Sequence, residues 1–247
     1  MSDYAVRITR LNYTYPDGTK ALEGIDLDVS CGERIAIVGP SGAGKSTLLL
    51  HLNGVLEGTG SVKIMGQMLD PSSLRQVRRQ VGLLFQDPND QLFCPTVYED
   101  IAFGPMNLGV PANEVPRRVE KALIDSGLDH SFRSRSSHHL SLGERRRVSL
   151  ATVLAMEPAI LGMDEPTSNL DPRNRRHLIE VISGLQATLI IATHDLEFVV
   201  DVCSRTVLMD RGKIWADGET KTMLSDSSLM ETHGLEVPLS LKSRLEK

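Results

Sequence analysis

Nine residues constrain this chain more than any others: Gly39-Pro40-Ser41-Gly42-Ala43-Gly44-Lys45-Ser46-Thr47, set between the apolar run Ile-Ala-Ile-Val at 35–38 and the apolar segment 48–52, which Asn53-Gly54 ends. A short, almost wholly apolar run is what a strand covered on both faces needs, and such strands belong to parallel sheets. The following segment has helical length, and Gly after Asn is a helix stop. Between them the glycines allow the backbone to turn so that successive N–H groups face one point, where the helix N-terminus adds partial positive charge. That arrangement cradles phosphate. Lys45 is then placed to bridge a β- and a γ-phosphate, Ser46 to offer a hydroxyl to Mg2+, and Thr47 to bond an α-phosphate.

The rest of the chain supports an α/β core. Two more apolar runs, 160–163 and 189–192, repeat the buried-strand pattern, whereas Val6 and Ile8, then Ile25, Leu27 and Val29, alternate with polar residues as half-buried strands do. Asp171-Pro172 reads as an N-cap with Pro in the first turn, ahead of Leu178, Ile179 and Ile182 on one face. Asn113 is the expected cap of a helix carrying Val119, Ala122 and Leu123 and stopped by Gly127. Asp-Arg-Gly at 210–212 between two short apolar stretches signals a hairpin. Residues 88–157 lack the buried-strand pattern, so the expected organisation is one domain over 1–247 with a helical subdomain inserted at about 88–157.

Bulk properties exclude some functions. With 27 Lys plus Arg against 32 Asp plus Glu, the net charge of −5 offers no general attraction to nucleic acid. No apolar run is long enough to span a bilayer, and Met-Ser-Asp-Tyr-Ala-Val-Arg lacks a signal-like apolar region. Cys31, Cys94 and Cys203 are scattered, which suits a reducing compartment and no zinc site.

The chemistry-bearing residues cluster at strand ends, where open α/β sheets bind ligands. Asp164 and Glu165 follow the run 160–163. Asp164 is expected to hold Mg2+ through water, leaving Glu165 to polarise an attacking water. His194 ends the third apolar run and is a candidate for contacting the γ-phosphate or orienting that water; Gln86, after 81–85, offers an amide oxygen to Mg2+. These groups in this order describe nucleotide hydrolysis, with Lys45, Glu165 and His194 as the catalytic candidates.

Leu140-Ser141-Leu142-Gly143-Glu144-Arg145 resembles the signature motif LSGGQ of the ABC ATPase family, and the likeness extends over nearly the whole chain. The resemblance implies an α/β P-loop NTPase of RecA-like type, with a mostly parallel sheet, an N-terminal antiparallel β subdomain and the inserted helical subdomain. It implies ATP and Mg2+ as cofactors, with Tyr15 (or its neighbour Tyr13) stacking on adenine. It also implies that Ser141, Leu142, Gly143 and Glu144 act on the ATP of a second ABC subunit, homo- or heterodimeric, and that Ser168-Asn169-Leu170-Asp171 form a D-loop on that interface. Leu142 in place of glycine and Glu144 in place of glutamine depart from the pattern, raising a backbone restriction and a negative charge near phosphate.

Residues 86–105 are similar to those of cobalt/nickel and energy-coupling-factor (ECF) importer ATPases. The resemblance implies a peripheral subunit on the cytoplasmic face of the cell membrane that powers uptake of cobalt or nickel, or else a vitamin. Leu92, Phe93, Val97, Ile101 and Phe103 are expected to line a groove for a helix of an integral membrane subunit. The alternative is a soluble ABC ATPase such as an iron–sulfur cluster assembly factor. An Asn-Lys-x-Asp guanine-reading motif is absent. His138 and His139 lack further ligand types, and Arg133, Arg135 and Arg145–Arg147 are expected to be a solvated cationic face.

Overall fold

The computed structural model describes residues 4–245. Among them, strands β1 (Tyr4–Thr14), β2 (Lys20–Ser30), β3 (Arg34–Val38), β4 (Thr59–Ile64), β5 (Gln67–Met68), β6 (Val81–Leu84), β7 (Ile160–Asp164), β8 (Thr188–Ala192), β9 (Arg205–Asp210) and β10 (Lys213–Glu219) form two sheets. The larger runs β10-β9-β3-β8-β7-β6; neighbours from β9 to β6 are parallel, and β10 closes the edge antiparallel to β9. The smaller, β2-β1-β4-β5, is antiparallel throughout.

Strand β3 shows why apolar runs without alternation were needed. Ile35 and Ile37 pack toward the small sheet and the helix α1 (Lys45–Leu52), while Ala36 and Val38 pack on the opposite face, toward the helical layer described next. Both faces are dry, as a parallel sheet between layers requires. In chain order the helices after α1 are α2 (Leu74–Gln80), α3 (Val97–Asn107), α4 (Val115–Asp125), α5 (Leu142–Leu154), α6 (Pro172–Gly184), α7 (Leu196–Val202), α8 (Thr220–Leu224), α9 (Ser227–Thr232) and α10 (Leu239–Leu245). Leu178 and Ile182 of α6, Phe198 and Val199 of α7 and Leu224 of α8 cover that opposite face.

Between β6 and β7 the chain makes α3, α4 and α5 around their own core of Val97, Ile101, Val119, Leu123 and Val148. Helix α3 opens with a reciprocal capping box, in which Thr96 accepts from the Glu99 N–H and Glu99 accepts from the Thr96 N–H. Asn113 does not cap α4: the preceding Pro111 carbonyl starts a turn that places Glu114 at the cap, without a side-chain bond. Asp171 caps α6 as its sequence suggests, accepting from Arg173 and Asn174 N–H at 2.9 and 3.0 Å. The β9–β10 hairpin turns through Arg211 and Gly212, both with positive φ, so the two-residue turn matches the strand twist.

Candidate functional site

The loop 39–47 runs from β3 into α1, and its glycines are dictated by close approach. A Cβ on Gly39 would lie 1.9 Å from the Met209 carbonyl oxygen; one on Gly44, which also has φ +101°, would lie 2.5 Å from that of Ala21. At the loop's centre the Lys45 ammonium donates to Gly39 O (2.8 Å) and Pro40 O (3.0 Å). Burial lowers the Lys45 pKa below the ordinary lysine value, opposed by the negative charges of Glu165 and Asp164. Thr47 shares a 2.9 Å hydrogen bond with the Tyr15 hydroxyl, which ties the aromatic of β1's end to the loop. Tyr13 lies edge-on to Tyr15 and to His51, so of the two tyrosines it is Tyr15 that touches the loop.

The carboxylates at the end of β7 face that loop. Burial pushes the Asp164 carboxyl up; Ser46, Lys45 and Arg146 pull it down, and Glu165 pushes with burial. Asp164 Oδ1 is buried without a hydrogen-bond partner. A hard carboxylate oxygen in that condition, beside the Ser46 hydroxyl, fits an oxygen-seeking cation such as Mg2+. Glu165 is 7% exposed and adopts φ +45°, a left-handed conformation costly for a residue with a Cβ. Its carboxylate accepts from Thr193 Oγ1 (2.9 Å), the His194 N–H (3.1 Å) and His194 Nδ1 (2.8 Å). The His194 ring is otherwise largely solvent-facing, 68% exposed, so its far nitrogen is presented outward. Next in sequence, Asp195 caps α7 and takes a two-pronged pair of bonds from Arg175 of α6, 2.9 Å each, plus one from Thr167.

Ser141 and its followers stand apart from this group. Among the described residues no hydrogen bond joins 141–144 to 39–47. Ser141 is the N-cap of α5 and accepts from the Glu144 N–H (3.3 Å), while Glu144 accepts the Ser141 N–H and hydroxyl, each at 2.8 Å. These bonds hold the Glu144 carboxyl below its usual range. Leu142 is the first residue of α5, where ordinary helical backbone suffices, so the leucine meets no steric penalty. Gly143 abuts Asn174 of α6, whose amide donates to Asp171 at 2.5 Å, so Asn174 links the start of α5 to the segment 168–171. Ser168 donates to the Glu165 carbonyl at 2.9 Å, Asn169 is exposed with φ +60°, and Leu170 packs against the core.

Two expectations need correction. Leu92, Val97 and Ile101 do not line a groove: they are buried in the α3–α5 core because each lies on the inner side of its element. Of the expected set only Phe93 and Phe103 face outward, 60% and 48% exposed, stacked edge to face at 4.9 Å over a cleft of about 290 Å³ with Phe85, Asn107 and Met156. Gln86 is exposed in the loop leading toward this cleft and forms no bond to Asp164 or Ser46. Nor are the arginines 145–147 all solvated. Arg146 is 1% exposed, because helical periodicity puts it in line with Gly143, Leu150 and Val153 on the buried side of α5. Gln91 was missed as well; it accepts from Phe85 N–H and donates to Ser149 O and Thr152, bracing the strand end before Gln86. No helix among the described residues is long and apolar enough to cross a membrane.

Comparison with known proteins gives this geometry its family. The model for the ABC transporter family matches residues 22–168. A Gloeobacter violaceus protein named, provisionally, an ABC transporter ATP-binding protein is 53% identical, spanning 95% of this chain and 97% of that one. The energy-coupling factor transporter ATP-binding protein EcfA of Methanothermobacter thermautotrophicus is 44% identical over 94% of this chain and 76% of its own length. Among solved structures, cbiO1 from Clostridium perfringens, described as part of the ABC transporter complex cbiONQ, superposes with a TM-score of 0.82 at 34% identity and covers 99% of both chains. A dimeric ATP-binding cassette in a post-hydrolysis state with ADP and Pi gives 0.78 at 26% identity, over 87% of this chain and 98% of that one. The chain therefore belongs to the ABC transporter family, as an ATP-hydrolysing ATP-binding subunit of the ABC/ECF type.

Proposed function

We propose that this subunit powers an importer by closing on a second ABC subunit around ATP, with integral membrane subunits docked at the exposed edge of the helical layer. In this reading Lys45 and the loop 39–47 hold the phosphates, Tyr15 flanks the adenine, and Ser46, Asp164 and, once its loop moves in, Gln86 would hold Mg2+. Bound by these residues, Mg2+ would supply positive charge to neutralise the phosphates. Glu165 polarises the attacking water, and His194, already on its carboxylate, reaches with its outward nitrogen toward the γ-phosphate. The exposed hydroxyl and N–H groups at the α5 N-terminus, Ser141 foremost, serve ATP held by the partner, and residues 168–171 lie along the shared interface.

The observation that carries the transport assignment is the Phe93–Phe103 pair. Two aromatic side chains exposed over a cleft lined also by Phe85, the residue before Gln86, are costly to leave in water. A helix of a membrane subunit is the occupant that suits them, and cbiO1 is described as part of the ABC transporter complex cbiONQ. The working location is then peripheral, on the cytoplasmic face of the cell membrane. Resemblance in 86–105 points to cobalt or nickel as solute, ahead of a vitamin.

Detergent purification with the neighbouring membrane proteins tests this. Integral subunits should co-elute with the wild type and be lost with Phe93→Ser plus Phe103→Ser, while the fold, whose core these rings do not enter, keeps its stability within about 0.5 kcal/mol. Recovery of a soluble ATPase without membrane subunits from native cells would favour a soluble assembly role instead.

A further inference from the structure

We infer that Arg146 is a positioning residue of the hydrolytic site, a rigid tie from helix α5 to the backbone of Glu165 and to the strand end before Gln86. It is among the largest fully buried side chains, and no ion pair reaches it among the described residues. One of its nitrogens, Nε, has no partner. A guanidinium in that state is expensive, since desolvation is not repaid by a contacting carboxylate, and a long apolar side chain would fill the same space at lower cost. The negative charges that act on it are Asp87, Asp164 and Glu165, all of the nucleotide side of the molecule.

Its two bonds explain what it does there. Nη1 donates to the Phe85 carbonyl at 2.9 Å, one residue before Gln86. Nη2 donates to Ser168 Oγ at 3.2 Å, and that hydroxyl in turn donates to the Glu165 carbonyl at 2.9 Å. The donors run in one direction, from α5 through the D-loop to the residue whose φ is +45°. Backbone strain of that kind persists only where the surroundings hold it. Because Ser141 is the cap of the same helix, a shift of the signature end of α5 is carried to Glu165 and toward Gln86 together.

The inference rests on Glu165 as the water-polarising group, and its test keeps the two apart. In the complex carrying Arg146→Met, kcat should fall at least about tenfold while KM for ATP stays within about twofold, and Tm should hold or rise, because the desolvation cost is gone. Ser168→Ala should reproduce the kcat loss, and the double variant should be no slower than the slower single one. A kcat near wild type in Arg146→Met, or losses that multiply in the double variant, overturns the assignment. If Arg146→Met does not fold, Ser168→Ala decides: at least about fivefold slower at unchanged KM upholds it, and unchanged kcat overturns it. Glu165→Gln in the same complex with full turnover would remove the reading of Glu165 and this inference with it; a dead Glu165→Gln beside an unimpaired Arg146→Met sinks only the inference.

Discussion

The two groups of residues assigned to the proposed nucleotide site are built differently. At the β3–α1 loop and the ends of β7 and β8, three charged groups are already engaged, Lys45 on loop carbonyls, Glu165 on Thr193 and His194, and Asp195 on Arg175 and Thr167, while Asp164 keeps one oxygen without a partner. At the start of α5 the Ser141 N–H and hydroxyl are engaged by Glu144 of the same helix cap, a carboxylate that also faces Arg135 at 3.7 Å. One end is preorganised by burial and a web of partners. The other keeps its groups on a local bond that another acceptor can replace, as suits a surface completed by a second chain.

This contrast can be broken experimentally. The largest effect belongs to the preorganised end: Glu165→Gln should slow steady-state hydrolysis by about 10²- to 10⁴-fold while ATP binding is retained, measured by phosphate release and nucleotide titration. Turnover within tenfold of wild type would mean that the web around Glu165 serves structure alone. Next, Asp195→Asn removes charge-assisted bonds and should cost about 2 kcal/mol of stability at neutral pH. In the fold, burial raises the Asp195 carboxyl, but Arg175, the Phe198 N–H and Thr167 more than offset it, so its pKa lies below the ordinary value. Its stabilisation is therefore complete above about pH 4 and fades as pH falls through the lower folded value. Thermal melts should show the gap between wild type and variant closing only in strong acid; a gap that closes near pH 6 would point to another group.

At the open end the expected effects are smaller. Ser141→Ala should slow hydrolysis by the assembled complex about tenfold, and the loss should not be repaired by raising ATP. An unchanged rate would detach this loop from the reaction. The smallest change is Glu144→Gln, which can keep the reciprocal cap yet removes a negative charge: nucleotide-driven dimerisation should tighten roughly threefold, read by gel filtration or light scattering over a protein titration. Weaker dimerisation would show that the carboxylate contributes an attraction across the interface.

Legibility differed between regions for physical reasons. The phosphate loop was readable because its needs are local: a strand end, positive φ, close backbone approach and a helix start all fall within a dozen residues. The apolar strands and the Asp171 cap were readable for the same reason. The stretch 86–105 was not, because whether Phe93 or Leu92 faces solvent depends on how the irregular segment before α3 lies against the α3–α5 core, and both residues look alike in a row of apolar side chains. The burial of Arg146 was hard to read because charge is ordinarily a sign of exposure, while helical periodicity places it on the same side as Gly143, Leu150 and Val153.

By itself, then, the order of residues determined the β–loop–α cradle, the buried parallel strands, the acidic pair after β7 and the family likeness, since each depends on contacts within a few residues or on a pattern repeated along one element. Only the tertiary structure decided which carboxylate has an unpartnered oxygen, that His194 rests on Glu165, that Ser141 is engaged by Glu144, and that a buried arginine of α5 joins two loops far apart in the chain. Those outcomes turn on desolvation and on directed hydrogen bonds between elements, and neither exists until the layers have packed.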